Sequence, residues 1–441
     1  MVKIYKIHKL AGLSGGVLLL LLAITGFFLD HDNWKFLYTT TFKTESKSLL
    51  EKENRLLESY YIDKNSNYMI IASLRGIYES SDEEKQFKKT LNEPTTAIKS
   101  SLNDVYASTS NGLYKLTTTG WESFALAGKY LTSLAIYNNT ALAVEEKKYV
   151  YVIDLIENKI LTKTEVLIDK SELGSDIKLS RFVRDLHYGR GLFDDGLSLL
   201  LNDYATLILI FLAGSGYYIW YLIKNKISAK RSKKLIKFHA NIFVLFASLF
   251  LIILSITGIF LDHSRGLARF MSSVNIPHSI LPPIYDSLKE DIWSIDYDGK
   301  IYRIGNRYGI YKSDDLKSWH SDKKGFAYKM IRDNKKLYIS GMGAPNKLFY
   351  DEKYTILPNT PHMFKDVISS KGKILYLSSN TKELLLPKYQ DVTLFTILLA
   401  IHDGSFFSSW WIWVNDFAAA LLIVLTLTGS YRWYTKIKRR S

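Results

Sequence analysis

Four apolar segments of membrane-spanning length divide the chain into two similar halves. The predicted spans cover residues 10–29, 204–223, about 240–261 and about 417–434. At a rise of about 1.5 Å per residue, a span of about 20 residues makes roughly 30 Å of helix, which matches the apolar core of a bilayer. Each half therefore consists of one span, a long polar region and a second span.

The two polar regions have the composition of strands. Short β-branched and aromatic runs alternate there with Gly, Asn and Asp, which is typical of antiparallel strands. A motif recurs as Gly76-Ile77-Tyr78, Gly112-Leu113-Tyr114 and Gly309-Ile310-Tyr311. The spacing of the first two copies is close to that of propeller blades, and a β-sandwich is the alternative. We therefore predict an α+β membrane protein with four transmembrane helices in two tandem helical hairpins, a parallel internal repeat, and two strand-rich extracytoplasmic regions with a propeller-like arrangement as one option.

Sequence repeats show that the chain is a duplication. ITGFFLDH at 24–31 returns as ITGIFLDH at 256–263, and Asn202-Asp203-Tyr204-Ala205 returns as Asn415-Asp416-Phe417-Ala418. Histidines recur at three positions per half: His8, His31 and His187, then His239, His263 and His402. The other three histidines have no counterpart, and we interpret them as surface residues of the strand-rich regions: His278, His320 and His362. The halves should be related by a pseudo-twofold axis along the membrane normal, forming a four-helix bundle.

Charge fixes the predicted topology. Fourteen cations in three acid-free clusters beside the spans account for nearly all of the net charge of +15. The clusters are Lys3, Lys6 and Lys9; Lys224, Lys226, Lys230, Arg231, Lys233, Lys234 and Lys237; and Lys436, Lys438, Arg439 and Arg440. This positive-inside pattern predicts a membrane protein with both termini in the cytoplasm and both strand-rich regions outside. It disfavours nucleic acid as the partner of the basic residues.

Eight segments follow from these assignments. They are helix 1 at 1–31, β-region 1 at 32–185, an outer interfacial segment with helix 2 at 186–223, a basic cytoplasmic loop at 224–238, helix 3 at 239–263, β-region 2 at 264–400, an outer interfacial segment with helix 4 at 401–434, and a basic tail at 435–441. A cleaved signal peptide is the alternative for the first segment. Because its apolar run ends in bulky residues and has an internal copy, we interpret it as a retained helix.

Several chemistries are excluded or disfavoured. The chain has no cysteine, which rules out disulfides, thiolate metal sites and haem attachment through C-x-x-C-H. No glycine fingerprint for flavin or nicotinamide appears between a strand and a helix, and no nucleophile stands with its base. A metal-ion importer would need polar ligands at mid-span, which the spans do not show. We interpret the small residues of the spans as helix-packing sites: Thr25-Gly26, Gly214-Ser215-Gly216, Thr257-Gly258 and Thr428-Gly429.

The six repeated histidines have two interpretations. They are either interfacial struts or ligands of haem iron, and neighbouring polar side chains could bond the second ring nitrogen in both cases. These neighbours are Asp30, Asp262, Asn202, Asp203, Asn415 and Asp416. A bare zinc or copper site is disfavoured because no three histidines obviously converge.

The six repeated histidines are predicted to lie at two different depths in the membrane. His8 and His31 are about 34 Å apart along a helix, so one centre cannot use both. His8 and His239 lie at the cytoplasmic ends, and the other four lie at the outer ends: His31, His187, His263 and His402. Gly12 and Gly15 share a helical face with His8 and would leave space for a flat macrocycle, whereas Phe243 and Phe246 follow His239. One centre inside and one or two outside would make an electron relay.

At these motifs the chain resembles the PepSY-associated transmembrane family, which includes inner-membrane ferric-siderophore reductases. The resemblance rests on His8-Lys9-Leu10-Ala11-Gly12 with the run to Thr25-Gly26, and on Leu186-His187-Tyr188-Gly189 ahead of a span that ends in Gly216-Tyr217-Tyr218-Ile219-Trp220. It implies b-type haem on histidines of the bundle and reduction of ferric chelates outside the membrane. His8, His187, His239 and His402 carry this implication, while His31 and His263 rest mainly on the internal repeat.

We therefore predict a haem b electron-transfer protein of the bacterial cytoplasmic (inner) membrane, an oxidoreductase resembling ferric-chelate reductases, with two or more haems. Its donor would be a cytoplasmic protein or a quinol, and its acceptor a ferric chelate or a partner protein outside. The alternative is a membrane-anchored β-domain that binds or assembles a partner without redox activity.

Overall fold

The computed structural model describes residues 2–63, 68–80, 86–101, 104–174, 176–194, 196–287, 289–370 and 372–438. Residues 439–441 of the predicted basic tail lie outside this range. The chain folds into two compact units. The first, here called the membrane unit, comprises Met1–Asp32, Lys178–Pro282 and Ile397–Ser441, and the second, the β-unit, comprises Asn33–Ile177 and Pro283–Thr396.

Eleven α-helices occur in the described residues. In chain order they are α1 (Val2–Asp30), α2 (Phe36–Thr39), α3 (Lys47–Lys52), α4 (Leu179–His187), α5 (Leu197–Lys224), α6 (Ala229–His239), α7 (Ile242–Asp262), α8 (Ala268–Ser273), α9 (Ile284–Ser287), α10 (Leu394–His402) and α11 (Ile412–Lys438).

Four of the described helical segments are long and apolar enough to cross a membrane, as predicted: Ile4–Asp30, Leu197–Lys224, Ile242–Asp262 and Ser409–Thr435. Within the membrane unit α1 packs on α5 and α11, and α7 packs on the same two helices. Their shared apolar core includes Leu19, Leu209, Phe250 and Leu422. Ala205 and Ala418, counterparts in the repeat, are both fully buried there, so the two halves contribute equivalent positions.

The basic segment predicted as a loop contains the helix α6, and α6 is separated from α7 by a break at Ala240 and Asn241. The Asn241 side chain caps α7 by accepting a hydrogen bond from the Val244 backbone N–H at 3.0 Å. The first half has no such break, because α1 runs continuously through His8. This is the main departure of the membrane unit from repeat symmetry.

Twenty-six strands occur in the described residues. They are β1 (Thr41–Lys43), β2 (Leu57–Ile62), β3 (Met69–Ser73), β4 (Gly76–Ser80), β5 (Lys88–Leu91), β6 (Thr95–Ser101), β7 (Asp104–Thr109), β8 (Gly112–Thr117), β9 (Gly120–Ala125), β10 (Leu131–Tyr137), β11 (Thr140–Glu145), β12 (Tyr149–Asp154), β13 (Lys159–Glu165), β14 (Asp176–Lys178), β15 (Asn275–Pro277), β16 (Ser294–Tyr297), β17 (Tyr302–Gly305), β18 (Gly309–Ser313), β19 (His320–Lys324), β20 (Lys329–Asp333), β21 (Lys336–Ser340), β22 (Lys347–Tyr350), β23 (Lys353–Ile356), β24 (Asp366–Ser370), β25 (Lys373–Leu377) and β26 (Asp391–Thr393).

The β-unit is built from antiparallel meanders. Described strands form four-stranded sheets in the orders β2-β3-β4-β5, β6-β7-β8-β9, β10-β11-β12-β13, β16-β17-β18-β19 and β20-β21-β22-β23, and a two-stranded sheet β24-β25. The first strands of these six sheets contact one another in the cycle β2, β6, β10, β16, β20, β24 and back to β2. A closed cycle of inner strands is the arrangement of propeller blades. Both predicted strand-rich regions therefore contribute sheets to one unit.

The recurring Gly-x-Tyr motif marks equivalent positions in this unit. Gly76, Gly112 and Gly309 begin the third strands of the first, second and fourth sheets. At Gly76 and Gly112 the backbone φ is +128° and +110°, where a side chain would be strained, so glycine begins these strands for a conformational reason.

Candidate functional site

Four of the repeated histidines form two pairs inside the membrane unit. The rings of His8 and His239 have centroids 6.4 Å apart, and those of His187 and His402 have centroids 6.3 Å apart. We call His8–His239 the basic-end pair, because Lys9 and Arg432 lie near it. We call His187–His402 the acidic-end pair, because Asn202, which bonds the His187 carbonyl, also bonds Asp30. Each pair takes one histidine from each half of the chain, so neither half alone contains a complete pair.

Each paired ring is held by a hydroxyl group of a spanning helix. The Nδ1 atoms of His8, His402 and His187 lie 2.9, 2.9 and 3.0 Å from the Oγ1 atoms of Thr428, Thr25 and Thr257. His239 Nδ1 lies 2.8 Å from Ser215 Oγ. In all four cases Nδ1 is engaged, which leaves Nε2 as the ring nitrogen that can bind a metal.

A glycine follows each of these hydroxyl residues and faces the same ring. A Cβ atom added at Gly26 or Gly258 would lie 3.3 or 3.4 Å from Cε1 of His402 or His187, and one added at Gly216 or Gly429 would lie 3.6 or 3.5 Å from Cε1 of His239 or His8. The hydroxyl–glycine dipeptides therefore contact histidines, which differs from the helix-packing role predicted for them. Gly214, by contrast, is exposed.

Burial favours the neutral form of three of the paired histidines. Desolvation inside the bundle, reinforced by the proximity of His402, lowers the pKa of His187 to about 3. Desolvation, with smaller contributions from His8 and Arg432, lowers the pKa of His239 to about 4. The pKa of His402 is lowered too, mainly by desolvation. A neutral imidazole has a free lone pair, which is the form that ligates metals.

A cavity of about 1050 Å³ surrounds the basic-end pair. Its volume is at the upper end of the usual range for cofactor sites. It is lined by both histidines and by several aromatic side chains, and three cations also line it: Lys9, Lys224 and Arg432. The cavity can thus accept a large, flat, partly apolar molecule that carries negative charge.

Gly12 lines this cavity, as expected, but Gly15 does not have the predicted role. A Cβ atom at Gly15 would lie 2.7 Å from a methyl carbon of Leu421, so Gly15 allows α1 to pack closely on α11. Phe243, which appeared to occupy the place of a glycine after His239, is 66% exposed. The break before α7 changes the helical register, so that Val244 lines the cavity in place of Phe243.

Two buried asparagines fix the acidic-end pair from the backbone side. Asn202 Nδ2 donates to the carbonyl oxygen of His187 at 3.1 Å, and Asn415 Nδ2 donates to that of His402 at 3.0 Å. His187 and His402 are the last residues of α4 and α10, where carbonyls have no partner within the helix. Asn202 Nδ2 also donates to Asp30 Oδ2, at 3.3 Å.

His31 and His263 are placed differently from the other repeated histidines. His31 Nε2 lies 3.5 Å from Asp203 Oδ2, and His263 Nε2 lies 2.6 Å from Asp416 Oδ2. His31 and His263 directly follow α1 and α7, so these contacts connect the ends of those helices with α5 and α11, as interfacial struts would. That these two histidines bind a cofactor stays a prediction. Among the residues described, no cluster of three or more His, Cys, Asp or Glu side chains could hold a bare metal ion.

The three unrepeated histidines lie outside both pairs. His320 Nδ1 donates a hydrogen bond to Glu172 Oε1 at 3.0 Å, and its side chain is 66% exposed. His362 is exposed as well. His278, predicted for a strand-rich region, belongs to the membrane unit.

Sequence reasoning found the histidines and missed their hydroxyl partners. The dipeptides themselves were visible, because Ser215-Gly216 and Thr428-Gly429 occupy matching places in the repeat, as do Thr25-Gly26 and Thr257-Gly258. The repetition of a hydroxyl residue followed by glycine was the sequence feature that could have indicated a functional role for these dipeptides. Its partner could not be read from the sequence, because each dipeptide contacts a histidine of the other half.

Solved structures that match the chain include two that align over about three quarters of its length with low sequence identity. The designed Ika8 protein is 11% identical over 74% of this chain and 81% of its own, with a TM-score of 0.34. The extracellular domain of the putative hybrid two component system BT4673 from B. thetaiotaomicron is 10% identical over 77% of this chain and 32% of its own, with a TM-score of 0.36. These TM-scores carry no argument about function.

No curated protein matches the chain. The family model of the PepSY-associated TM region, in contrast, matches residues 5–436, which is nearly the whole length and confirms the resemblance predicted from the histidine motifs. The chain belongs to the family of the PepSY-associated TM region.

Proposed function

We propose that this protein is a transmembrane b-type haem electron-transfer protein that passes electrons from the cytoplasm to an extracytoplasmic acceptor. The observation that carries the proposal is the presence of two cross-half histidine pairs, each with both Nδ1 atoms engaged. One-electron transfer is the chemistry that haem supplies when it is bound.

The spacing of the rings would let each pair hold one haem iron. Two metal–imidazole bonds of about 2 Å, with each ring centre about 1 Å beyond its nitrogen, span roughly 6 Å between the ring centroids. The observed separations are 6.4 and 6.3 Å. His8 with His239 and His187 with His402 would therefore each hold one haem. The two sites are about 25 Å apart, judged from the 17 residues between His8 and Thr25 on α1.

The positions of the charged residues support both the binding of haem and the assignment of the basic end to the cytoplasmic side. Lys9, Lys224 and Arg432 line the basic-end cavity, where they would neutralise the propionates of haem. These residues belong to the ends of the spans that the positive-inside rule assigns to the cytoplasm. We therefore assign the basic end to electron entry from a cytoplasmic protein or a quinol, and the acidic end to the extracytoplasmic side of the inner membrane.

The proposed acceptor lies outside the membrane. The family resemblance implies a ferric siderophore or another ferric chelate, and the β-unit would bind it or a partner protein. A membrane-anchored binding or assembly protein without redox activity is the second candidate, and the closed cycle of six sheets in the β-unit favours it, since such a unit could hold a partner without any redox group.

Proteoliposomes test the proposed direction and acceptor class. The purified protein is reconstituted with a reductant inside, and a ferric chelate with a ferrous indicator is added outside. We expect external ferrous iron to form at a rate that His402→Ala abolishes. Equal rates for the wild type and His402→Ala would contradict electron transfer through the histidine pairs, and a colourless wild-type protein would favour the second candidate.

A further inference from the structure

We propose that the four hydroxyl–glycine dipeptides are positioning elements that hold each paired histidine in a single tautomer, with Nε2 unprotonated before any cofactor binds. The elements are Thr25-Gly26, Ser215-Gly216, Thr257-Gly258 and Thr428-Gly429. This inference rests on the proposed function for its chemical purpose and adds residues that the histidine motif does not contain.

The hydroxyl protons of the three threonines are already committed to the backbone. Thr25 Oγ1 donates to the Leu21 carbonyl at 2.8 Å, Thr257 Oγ1 to that of Ile253 at 2.7 Å, and Thr428 Oγ1 to that of Val424 at 2.6 Å. A hydroxyl has one proton, so toward the histidine each oxygen can only accept. The ring must then carry its proton on Nδ1, and the lone pair is on Nε2.

A second backbone carbonyl also accepts from each of these three hydroxyls. It belongs to the residue three positions before the threonine, Leu22, Leu254 or Leu425, and lies 3.2 Å from Oγ1 in all three cases. Both carbonyls compete for the same hydroxyl proton, so none is left for the ring. The tautomer is thus set by the spanning helices, without a carboxylate.

Ser215 is the exception. Its hydroxyl reaches the Leu212 carbonyl only at 3.4 Å, which is a weak bond, so its proton is less firmly committed. His239, its partner, is also the last residue of the basic helix α6 and directly precedes the break at Ala240. The Ser215-Gly216 dipeptide therefore restricts the tautomer of His239 less than the other three dipeptides restrict those of their histidines.

The glycines restrict the position of the rings. The distances of 3.3 to 3.6 Å between an added Cβ and Cε1 mean that each ring lies against the helix backbone at a place where other residues project a side chain. The hydroxyl group determines which ring nitrogen carries the proton, and the glycine determines how closely the ring lies against the helix backbone. Since bonds to the second ring nitrogen raise ligand basicity, the element should also tune the redox potential.

The test compares Thr257→Val with Thr257→Ser in the full-length protein. Valine keeps the shape of threonine but cannot accept from His187, whereas serine restores the acceptor. Ser255→Ala is the matched control, because Ser255 is buried on the same helix and makes the same type of bond, to the Leu251 carbonyl at 2.7 Å. The readouts are haem affinity, the absorption spectrum and the midpoint potential of each haem.

We expect Thr257→Val to weaken haem binding at the acidic end by about 10- to 100-fold and to raise the potential of that haem. A tenfold change in preference between ferric and ferrous haem corresponds to about 59 mV for one electron. Thr257→Ser and Ser255→Ala should match the wild type, and the basic-end haem should be unchanged in every variant, which would verify folding.

Wild-type affinity and potential in Thr257→Val, in a protein that holds haem at both pairs, would overturn the positioning role and leave the proposed function intact. A wild-type protein that binds no haem would overturn the proposed function itself, so the two failures are distinguishable.

Discussion

The two histidine pairs use the same contacts in different surroundings. The basic-end pair lies in a cavity of about 1050 Å³ lined by cations, and its rings are nearly perpendicular, with an interplanar angle of 89°. The acidic-end pair is held from the backbone by Asn202 and Asn415, and its rings are inclined at 54°. One end thus has an open pocket, and the other is fixed by buried polar side chains.

Both halves of the chain are needed to complete each histidine pair. Every pair joins a histidine of one half to a histidine of the other, and every hydroxyl partner also comes from the opposite half, as with His8 and Thr428. A single half would leave each of its contacts incomplete. Duplication followed by divergence allows the two ends to keep the paired histidines while their surroundings change.

The largest effect should come from removing one histidine of either pair. His187→Ala and His8→Ala should each remove one haem of two, because the remaining imidazole has lost its partner, while His362→Ala, at an exposed position of the β-unit, should remove none. A pyridine hemochrome assay on each purified variant gives the stoichiometry. Equal haem content in all three variants would contradict the assignment of the pairs.

A smaller effect, confined to the acidic end, should follow from Asn415→Leu. The substitution leaves the His402 carbonyl without its donor, and a buried unsatisfied carbonyl costs about 1–3 kcal/mol. Thermal unfolding in detergent should show the loss of stability, and the spectrum of the acidic-end haem should broaden. A change in the basic-end haem instead would show that the two ends are not independent.

Acid should destabilise the haem-free protein through the paired histidines. An unfolded histidine takes up a proton below about pH 6.5, whereas His187 in the fold, with its pKa lowered to about 3, resists protonation. Protons therefore favour the unfolded state in this window, and stability falls by up to about 1.4 kcal/mol per pH unit for such a histidine. The pH dependence of thermal unfolding should be shallower in His187→Gln, and an unchanged slope would refute this origin.

The smallest effects should come from adding a methyl group at the glycines beside the paired histidines, and these effects should differ between the two ends. Gly26→Ala places a methyl 3.3 Å from His402, a tight contact, while Gly216→Ala places one 3.6 Å from His239, an ordinary contact. We expect a measurable shift of the absorption bands in Gly26→Ala and almost none in Gly216→Ala. The reverse order would show that the glycines do not position the rings.

Sequence patterns predicted the parts of the molecule that repeat. The four spans, the strand-rich composition and the six histidines followed from periodicity and internal duplication, and the matched family confirms the resemblance. The pairing of histidines did not follow, because it depends on which helices become neighbours. The break at Ala240 and Asn241 was missed too, although His239 and Thr257 are one residue further apart than His8 and Thr25. That extra residue is accommodated at the break.

The most direct test of the account is electron paramagnetic resonance of the oxidised protein, combined with its haem content. We expect two haems per chain and two distinct low-spin ferric signals. The signal lost in His8→Ala should have the greater anisotropy, because its ligand rings are nearly perpendicular. A protein with no haem, or with haem that gives only high-spin signals, would contradict axial ligation by the two histidine pairs.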